Sequence, residues 1–218
     1  MHPSKQNIKV AVDNVIFTVI GNKLFVLLIQ MKKKPLTGTW ALPGGLVGDR
    51  ETLDDAAGRI LNDETGVKAG GRVFLEQLNT FSHPKRDPFG RVISTAYIAV
   101  VSAEGITLRT TSKYMGVDWV PYASVRALAY DHNRILSFAQ KRLEWHLNYT
   151  TIARSLLPRA FTLTELQRVY EAIRGRKADK RNFRRSMLAR GIITPVGKRV
   201  MRGAFRPSML YRFKTATT

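Results

Sequence analysis

Between residues 9 and 18 the chain is dominated by Val10, Val12, Val15, Ile16 and Phe17, and a second apolar run, 24–29, follows the turn pair Gly21-Asn22. Two β-prone runs around a Gly-Asn pair predict a hairpin. Residues 92–101 predict a further strand and 116–120 a short one. From residue 53 the period changes, because Leu53, Ala56, Ala57, Ile60 and Leu61 recur at helical spacing. Thr52, with Asp55 three residues on, forms a short-armed capping box, and Gly66 suits the left-handed residue that closes a helix. Residues 66–71 and 83–90 read as loops from their Gly, Pro and charge content. Strands and helices without regular alternation predict an α/β sandwich rather than a barrel.

The second half of the chain carries a different pattern. Residues 131–149 predict a long helix with Ile135, Phe138, Ala139, Leu143 and Leu147 on one face. Pro158 and the capping box Thr162-Leu163-Thr164-Glu165 mark a new start, with Phe161 and Leu166 at the two hydrophobic-staple positions. Leu163, Leu166, Val169, Tyr170 and Ile173 form the next helical stripe, which Gly175 stops. Asp179 caps a basic helix over 180–190, and Gly191 ends it. Residues 192–194 and 209–213 are strand-like and bracket a loop holding Lys198, Arg199, Arg202 and Arg206. Helix, turn, basic helix and two-stranded wing predict a winged helix-turn-helix, and the chain divides into 1–150 and 151–218.

Charge sharpens that division. The 218 residues carry Lys+Arg 36 against Asp+Glu 16, a net +20. Residues 1–150 hold 19 basic and 13 acidic side chains, whereas 151–218 hold 17 basic and only Glu165, Glu171 and Asp179. So dense a field of one sign attracts a polyanion. On the second helix of this unit, Phe183 and Met187 share the core face while Arg181, Asn182 and Arg185 project away, toward a groove. Arg reads guanine and Asn adenine through paired hydrogen bonds. Lys180, Arg184 and the wing residues Lys198, Arg199, Arg202 and Arg206 are better placed for phosphates. A single-stranded RNA reader would offer exposed aromatic platforms, and Phe161, Tyr170, Phe183, Phe205, Tyr211 and Phe213 fit core positions instead.

The absence of cysteine excludes disulfides, thiol catalysis and cysteine metal sites. No apolar run approaches the roughly 18 residues of a membrane helix, and no signal-peptide core follows Met1-His2-Pro3, which predicts a cytoplasmic chain without a membrane partner. His83, His132 and His146 stand at no metal-ligand spacing and read as surface or capping residues.

The densest chemistry lies at 40–67. Trp40-Ala41-Leu42-Pro43-Gly44-Gly45 leads into Glu51, Arg59, Asp63 and Glu64. Glu64 falls on the apolar stripe four residues after Ile60, where a carboxylate needs a cation, an Arg or a metal. Arg59 and Glu51 offer a structural pair that braces the loop against the helix. A Gly-Gly loop before a carboxylate-bearing helix suits a Mg²⁺-diphosphate site.

Gly45, Glu51, Arg59, Leu61, Glu64, Gly66 and Val67 resemble the Nudix box, Gly-x5-Glu-x7-Arg-Glu-U-x-Glu-Glu-x-Gly-U with U aliphatic, at matching spacing. The resemblance implies a Nudix α/β/α sandwich with a mixed sheet over residues ~8–130. It also implies carboxylates that gather divalent cations and help activate water. Two positions depart: Ile60 replaces one box Glu, and Asp63 shortens another. Strong turnover is therefore not expected, no cofactor is required, and Asp63 and Glu64 remain as the pair for one weakly held Mg²⁺.

Residues 76–78, Phe81, 86–88 and 91–94 resemble the Nudix branch that handles ADP-ribose and related sugar diphosphates. Gly44, Gly45, Arg59, Glu64, Arg86 and Arg91 are its ligand-binding candidates; Arg86 and Arg91 read either as diphosphate or ribose contacts or as loop charges. Phe81, Phe89 and Trp40 are each either an adenine platform or a core residue. Over about 8–214 the chain is similar to Nudix-related transcriptional regulators of the NrtR type, through residues 130–132, 161–167, Tyr170-Glu171, 180–185, Arg206-Pro207 and Leu210-Tyr211. That resemblance implies a homodimeric bacterial repressor of NAD-metabolism genes, released from palindromic double-stranded DNA by ADP-ribose. Relatives of the same architecture answer to pentose-pathway ligands, and an active ADP-ribose hydrolase is the enzymatic alternative.

Overall fold

The computed structural model describes residues 7–68, 72–108, 112–149, 152–200 and 207–214. Its first strands, β1 (Lys9–Ile20) and β2 (Lys23–Met31), form the expected hairpin, with Gly21 at φ 62 in the turn. They stay paired only from Phe17 to Ile20, and then splay. Two short strands fill the wedge. β3 (Trp40–Ala41) pairs with β2, and β4 (Gly44–Leu46) pairs with the start of β1, Ala11 to Asp13. The other edge of β1 pairs in parallel with β6 (Val92–Val100), which pairs with β5 (Phe74–Phe81), and β7 (Tyr114–Pro121) lies outside β2. The result is a mixed seven-stranded sheet.

Because β1 is buried on both faces, its alternation sorts side chains between two helical layers. Val12 and Ile16 face α1 (Leu53–Thr65) and pack with Ala56, Ala57, Ile60 and Leu61 across two small clusters. Val15 and Phe17 face α2 (His132–Tyr149) on the opposite side. Both capping predictions for α1 hold: the Thr52 side chain and Asp55 satisfy one another's backbone N–H groups, and Gly66 closes the helix at φ 70. The layers are those of an α/β/α sandwich.

On α2 one expected core residue is displaced. Phe138 is 44% exposed, whereas Leu136 is buried. Each step of four along the buried stripe Ile135-Ala139-Leu143-Leu147 drifts about 40° around the helix, toward Leu136 and away from Phe138.

The basic unit follows a 3-10 turn at Ile152–Leu156. β8 (Phe161–Thr162), α3 (Leu163–Arg174), α4 (Lys180–Ala189), β9 (Ile193–Val200) and β10 (Ser208–Phe213) form a winged helix whose sheet has the order β8-β10-β9. The first wing strand is longer than expected, so Lys198 and Arg199 belong to β9 rather than to the loop, with Arg199 opposite Met209. Arg202, Arg206 and Phe205 lie outside the described residues. Phe161, Tyr170, Phe183 and Tyr211 are buried, as core positions require. One apolar cluster runs from Val15 and Phe17 through Ile135 and Leu143 to Leu166, Tyr170 and Phe183. The sandwich, α2 and the winged helix therefore share a continuous core.

Candidate functional site

Where β1 and β2 diverge, the sheet opens into a cavity of about 190 Å³ whose wall includes Asp13, Leu42, Gly44, Gly45, Arg86 and His132. The splay leaves a gap at the middle of the sheet, and the β3–β4 connection floors it. Gly44 sits opposite Asp13 in the ladder. A Cβ on Gly44 would collide with the Asp13 carboxylate, so this glycine lets two strands approach with an acid between them.

Asp13, followed by Asn14, interrupts the apolar run of β1 and is buried, so it needs partners. Arg86 Nη2 donates to its Oδ2 at 2.9 Å, and the Ser94 hydroxyl donates to the same oxygen at 2.7 Å. His132 Nε2 stands 3.5 Å from Oδ1. Burial pushes the Asp13 carboxyl up, yet His132, Arg86 and Ser94 outweigh it and hold it at about 2. The His132 ring is fixed from its other side, where Nδ1 accepts the Leu42 backbone N–H at 2.9 Å. That bond places the ring proton on Nε2, toward Asp13. His132 is thus a buried member of the cavity wall rather than a surface or capping residue.

Arg86 connects the cavity to α2. Its Nε donates to Asp131 Oδ1 at 3.1 Å and its Nη2 donates to the same oxygen at 2.8 Å. Its side chain is only 3% exposed. Tyr130, immediately before Asp131, holds φ 58, a conformation that L side chains rarely adopt.

Of the ligand candidates, the fold brings Gly44, Gly45 and Arg86 to this cavity. Arg59 is spent elsewhere. Its Nη2 donates to Glu51 Oε2 at 2.9 Å and to the Leu46 carbonyl at 3.2 Å, which braces the loop onto α1. The Arg59 guanidinium, and after it the Gly48 N–H, hold the Glu51 carboxyl at about 2. Arg91 Nη1 donates to the Ser82 carbonyl at 2.8 Å and ties the loop between β5 and β6. Phe81 is core, with its ring edge against Phe138, whereas Phe89 is exposed under Lys33.

The metal candidates do not assemble a cation site. Asp63 is exposed beside Arg59 at 4.0 Å, while the neighbouring Glu64 is 3% exposed and its Oε2 has no hydrogen-bond partner among the described residues. Burial, and after it the charge of Asp63, raises the Glu64 carboxyl to about 7. Ile60 occupies the missing box position and packs against Val12, Ala57 and Tyr97. Among the described residues no three His, Cys, Asp or Glu side chains converge as a metal would need. A Mg²⁺ ion bound by several carboxylates does not fit this arrangement.

The residues missed by sequence reasoning are Asp13, Asp131 and His132. The available signal was Asp13 itself, a carboxylate inside an apolar strand.

The second candidate surface is α4. Phe183 and Met187 are buried, and Lys180, Arg181, Asn182, Arg184 and Arg185 are all exposed. Asp179 caps the helix by accepting the Asn182 N–H at 2.8 Å. Arg185 Nη2 donates to Asn182 Oδ1 at 3.0 Å, so these two groups share one edge. Lys180 and Arg184 line a cleft with Thr164 and Ser208, away from that edge. Among the described residues no helix is long and apolar enough to cross a membrane.

Residues 9–140 match the NUDIX domain family and residues 153–213 the NrtR DNA-binding winged helix domain family. The chain is 35% identical over 206 residues to the ADPR responsive transcriptional repressor NtrR of Acinetobacter baylyi, covering 93% of this chain and 80% of the relative. The crystal structure of Shewanella oneidensis NrtR complexed with a 27mer DNA is similar at TM-score 0.78 and 30% identity, over 94% of this chain and 93% of that one. The NUDIX domain of the same Shewanella protein, complexed with ADP ribose, is similar at TM-score 0.57 and 32% identity, over 63% of this chain and 90% of that one.

Proposed function

The chain belongs to the NrtR family of Nudix-domain transcriptional regulators, and from that premise we propose that it is a repressor whose sandwich senses ADP-ribose and whose winged helix holds an operator. The observation that carries this reading is the exposed Arg181-Asn182-Arg185 edge on a helix sharing one continuous core with the ligand cavity. The sensing unit is residues 1–150 and the DNA-binding unit 151–218. Arg181, Asn182 and Arg185 read bases; Lys180, Arg184, Lys198, Arg199, Arg202 and Arg206 hold phosphates. Gly44, Gly45 and Arg86 contribute to the ligand pocket.

The operator is palindromic double-stranded DNA and the protein acts on it as a homodimer, since two-fold protein symmetry mirrors two half-sites. The regulated genes serve NAD metabolism, and the protein works in the cytoplasm at the nucleoid. ADP-ribose releases the operator because it binds the DNA-incompetent arrangement more tightly; equal affinity for both arrangements would shift nothing.

The enzymatic reading is disfavoured by Ile60, whose side chain fills an apolar cluster where a metal-binding carboxylate would be required. The deciding experiment is selection of genomic fragments on the purified protein at physiological salt, with and without ADP-ribose. A palindrome beside NAD-metabolism genes, lost on adding ADP-ribose, is the expected result. A palindrome unaffected by ADP-ribose reassigns the ligand, and no enrichment refutes the repressor reading.

A further inference from the structure

We propose that Arg86 is a relay. An anionic ligand oxygen in the cavity and the Asp131 carboxylate at the head of α2 compete for its one guanidinium, and the outcome sets where α2 holds the winged helix. The inference rests on the ADP-ribose reading above and names the residues through which occupancy of the cavity reaches the DNA-binding face.

The guanidinium geometry shows what is committed and what is open. Nε and Nη2 fork onto Asp131, and Nη2 also reaches Asp13. Among the described residues Nη1 makes no hydrogen bond, although Arg86 lines the cavity. An Arg fork suits phosphate oxygens as well as carboxylates. Two carboxylates already share this one guanidinium. A diphosphate drawn to Nη1 brings further negative charge to a group already outnumbered by acids. Coulomb repulsion then falls on both carboxylates, but they are not equally held. Asp13 lies within β1 and keeps Ser94, while Asp131 is the more exposed side chain, 19% against 9%, and stands at a helix end. Asp131 therefore yields first. Tyr130 beside it already occupies φ 58, so a backbone change there leaves an unfavourable conformation instead of creating one.

The far end of α2 turns this release into movement of the DNA-binding unit. The Leu147 carbonyl accepts the Tyr170 hydroxyl of α3 at 2.9 Å and Arg190 Nη1 at 3.0 Å. Arg190 is the C-cap residue of α4, the helix that carries Arg181, Asn182 and Arg185. Arg174 of α3 adds a bond to Asn148 Oδ1 at 2.6 Å. α2 has 18 residues. Its length of about 27 Å converts a tilt of about 5° at the head into about 2 Å at the far end. Both helices of the winged unit are tied to that end.

The test separates coupling from binding. Operator affinity is measured by fluorescence anisotropy without and with saturating ADP-ribose, and ADP-ribose affinity by calorimetry on the full chain. Asp131→Asn keeps the shape of the side chain and removes the charge that the ligand must displace. It is expected to bind ADP-ribose at least as tightly as wild type and to bind operator no better than ADP-ribose-saturated wild type, so that the ADP-ribose effect on operator affinity falls at least tenfold. Tyr170→Phe deletes only the hydroxyl at the far end, has no contact with the cavity, and decides on the same criterion if Asp131→Asn does not fold. An ADP-ribose effect within twofold of wild type in the folded variant overturns the relay and leaves the repressor reading intact. If wild type itself shows no ADP-ribose effect, the repressor reading and the relay fall together.

Discussion

The carboxylate of Asp13 occupies the space that any side chain on Gly44 would need. A Cβ there would also lie 3.0 Å from the Val12 carbonyl oxygen, a backbone atom that cannot swing aside. Asp13 is itself held by Arg86 and Ser94. Gly44→Ala is therefore expected to cost about 1–3 kcal/mol of stability, the usual range for overpacking a filled interior. It should also weaken ADP-ribose binding at least tenfold by displacing the Asp13–Arg86 pair. Gly45→Ala is the control for stability, since its Cβ would meet only the Ile60 side chain at 3.9 Å. Urea denaturation and calorimetry on the two variants check both statements.

Glu64 gives a pH dependence of opposite sign to that of most paired carboxylates. Its folded-state value is about 7 against an ordinary 4.5, because burial penalises the ionised form first and Asp63 adds repulsion. Below 4.5 the carboxyl is protonated in both states and costs nothing; above 7 it is ionised in both, and the fold bears the whole difference. A shift of this size corresponds to about 3 kcal/mol of destabilisation, developing between those two pH values. Glu64→Gln, which mimics the protonated form, should be near neutral at pH 4.5 and stabilising by about 2–3 kcal/mol at pH 8. Equal effects at both pH values would show that Glu64 is not titrating in this window.

Local signals in the sequence were the ones that folding preserved. Thr52 with Asp55, Thr162 with Glu165, and Gly66 each specify a helix end within a few residues, and all three are realised. Strands β3 and β4 were not legible, because two or three residues in a Pro-Gly stretch carry no period. β5 was hidden by an irregularity between Gln77 and Asn79 that breaks its alternation. The cavity was harder still. Arg86 pairs with Asp13 across 73 residues and with Asp131 across 45, and no local spacing reveals such partners. For Arg59 the sequence offered two readings, a ligand contact and a pair with Glu51 that braces the loop, and the fold makes the second.

At Ile60 the fold lacks more than a box carboxylate, because the position itself is apolar and buried. Its side chain is 4% exposed and packs with Val12, Ala57 and Tyr97. Ile60→Glu would place a carboxylate in that cluster at a cost of several kcal/mol, or leave it protonated. The expected result is lower stability and still no Mg²⁺-dependent release of AMP from ADP-ribose. Neighbouring Asp63 remains exposed, and Glu64 is close to half-protonated at neutral pH. Turnover in the variant, assayed by chromatography of the nucleotide products, would show that one carboxylate suffices to restore a cation site.

The two sets of basic residues on α4 should separate in how they depend on sequence and salt. Arg185 donates to Asn182 Oδ1, so both side chains are held near one edge of the helix, with Arg181 on the same exposed side. Such side chains pair with base edges, and each contact discriminates by about 1–3 kcal/mol. Arg181→Ala, Asn182→Ala and Arg185→Ala should therefore weaken operator binding by that amount and relax preference at particular base pairs, leaving non-specific DNA binding nearly unchanged. Lys180 and Arg184 sit instead along the cleft with Thr164 and Ser208. Lys180→Ala and Arg184→Ala should lower affinity for every sequence alike and reduce the slope of log affinity against log salt by about 1 each. Anisotropy titrations on operator and scrambled DNA at several salt concentrations distinguish the two behaviours. A base-specific loss on Arg184→Ala, or a uniform one on Asn182→Ala, would reverse the orientation of α4 in the groove.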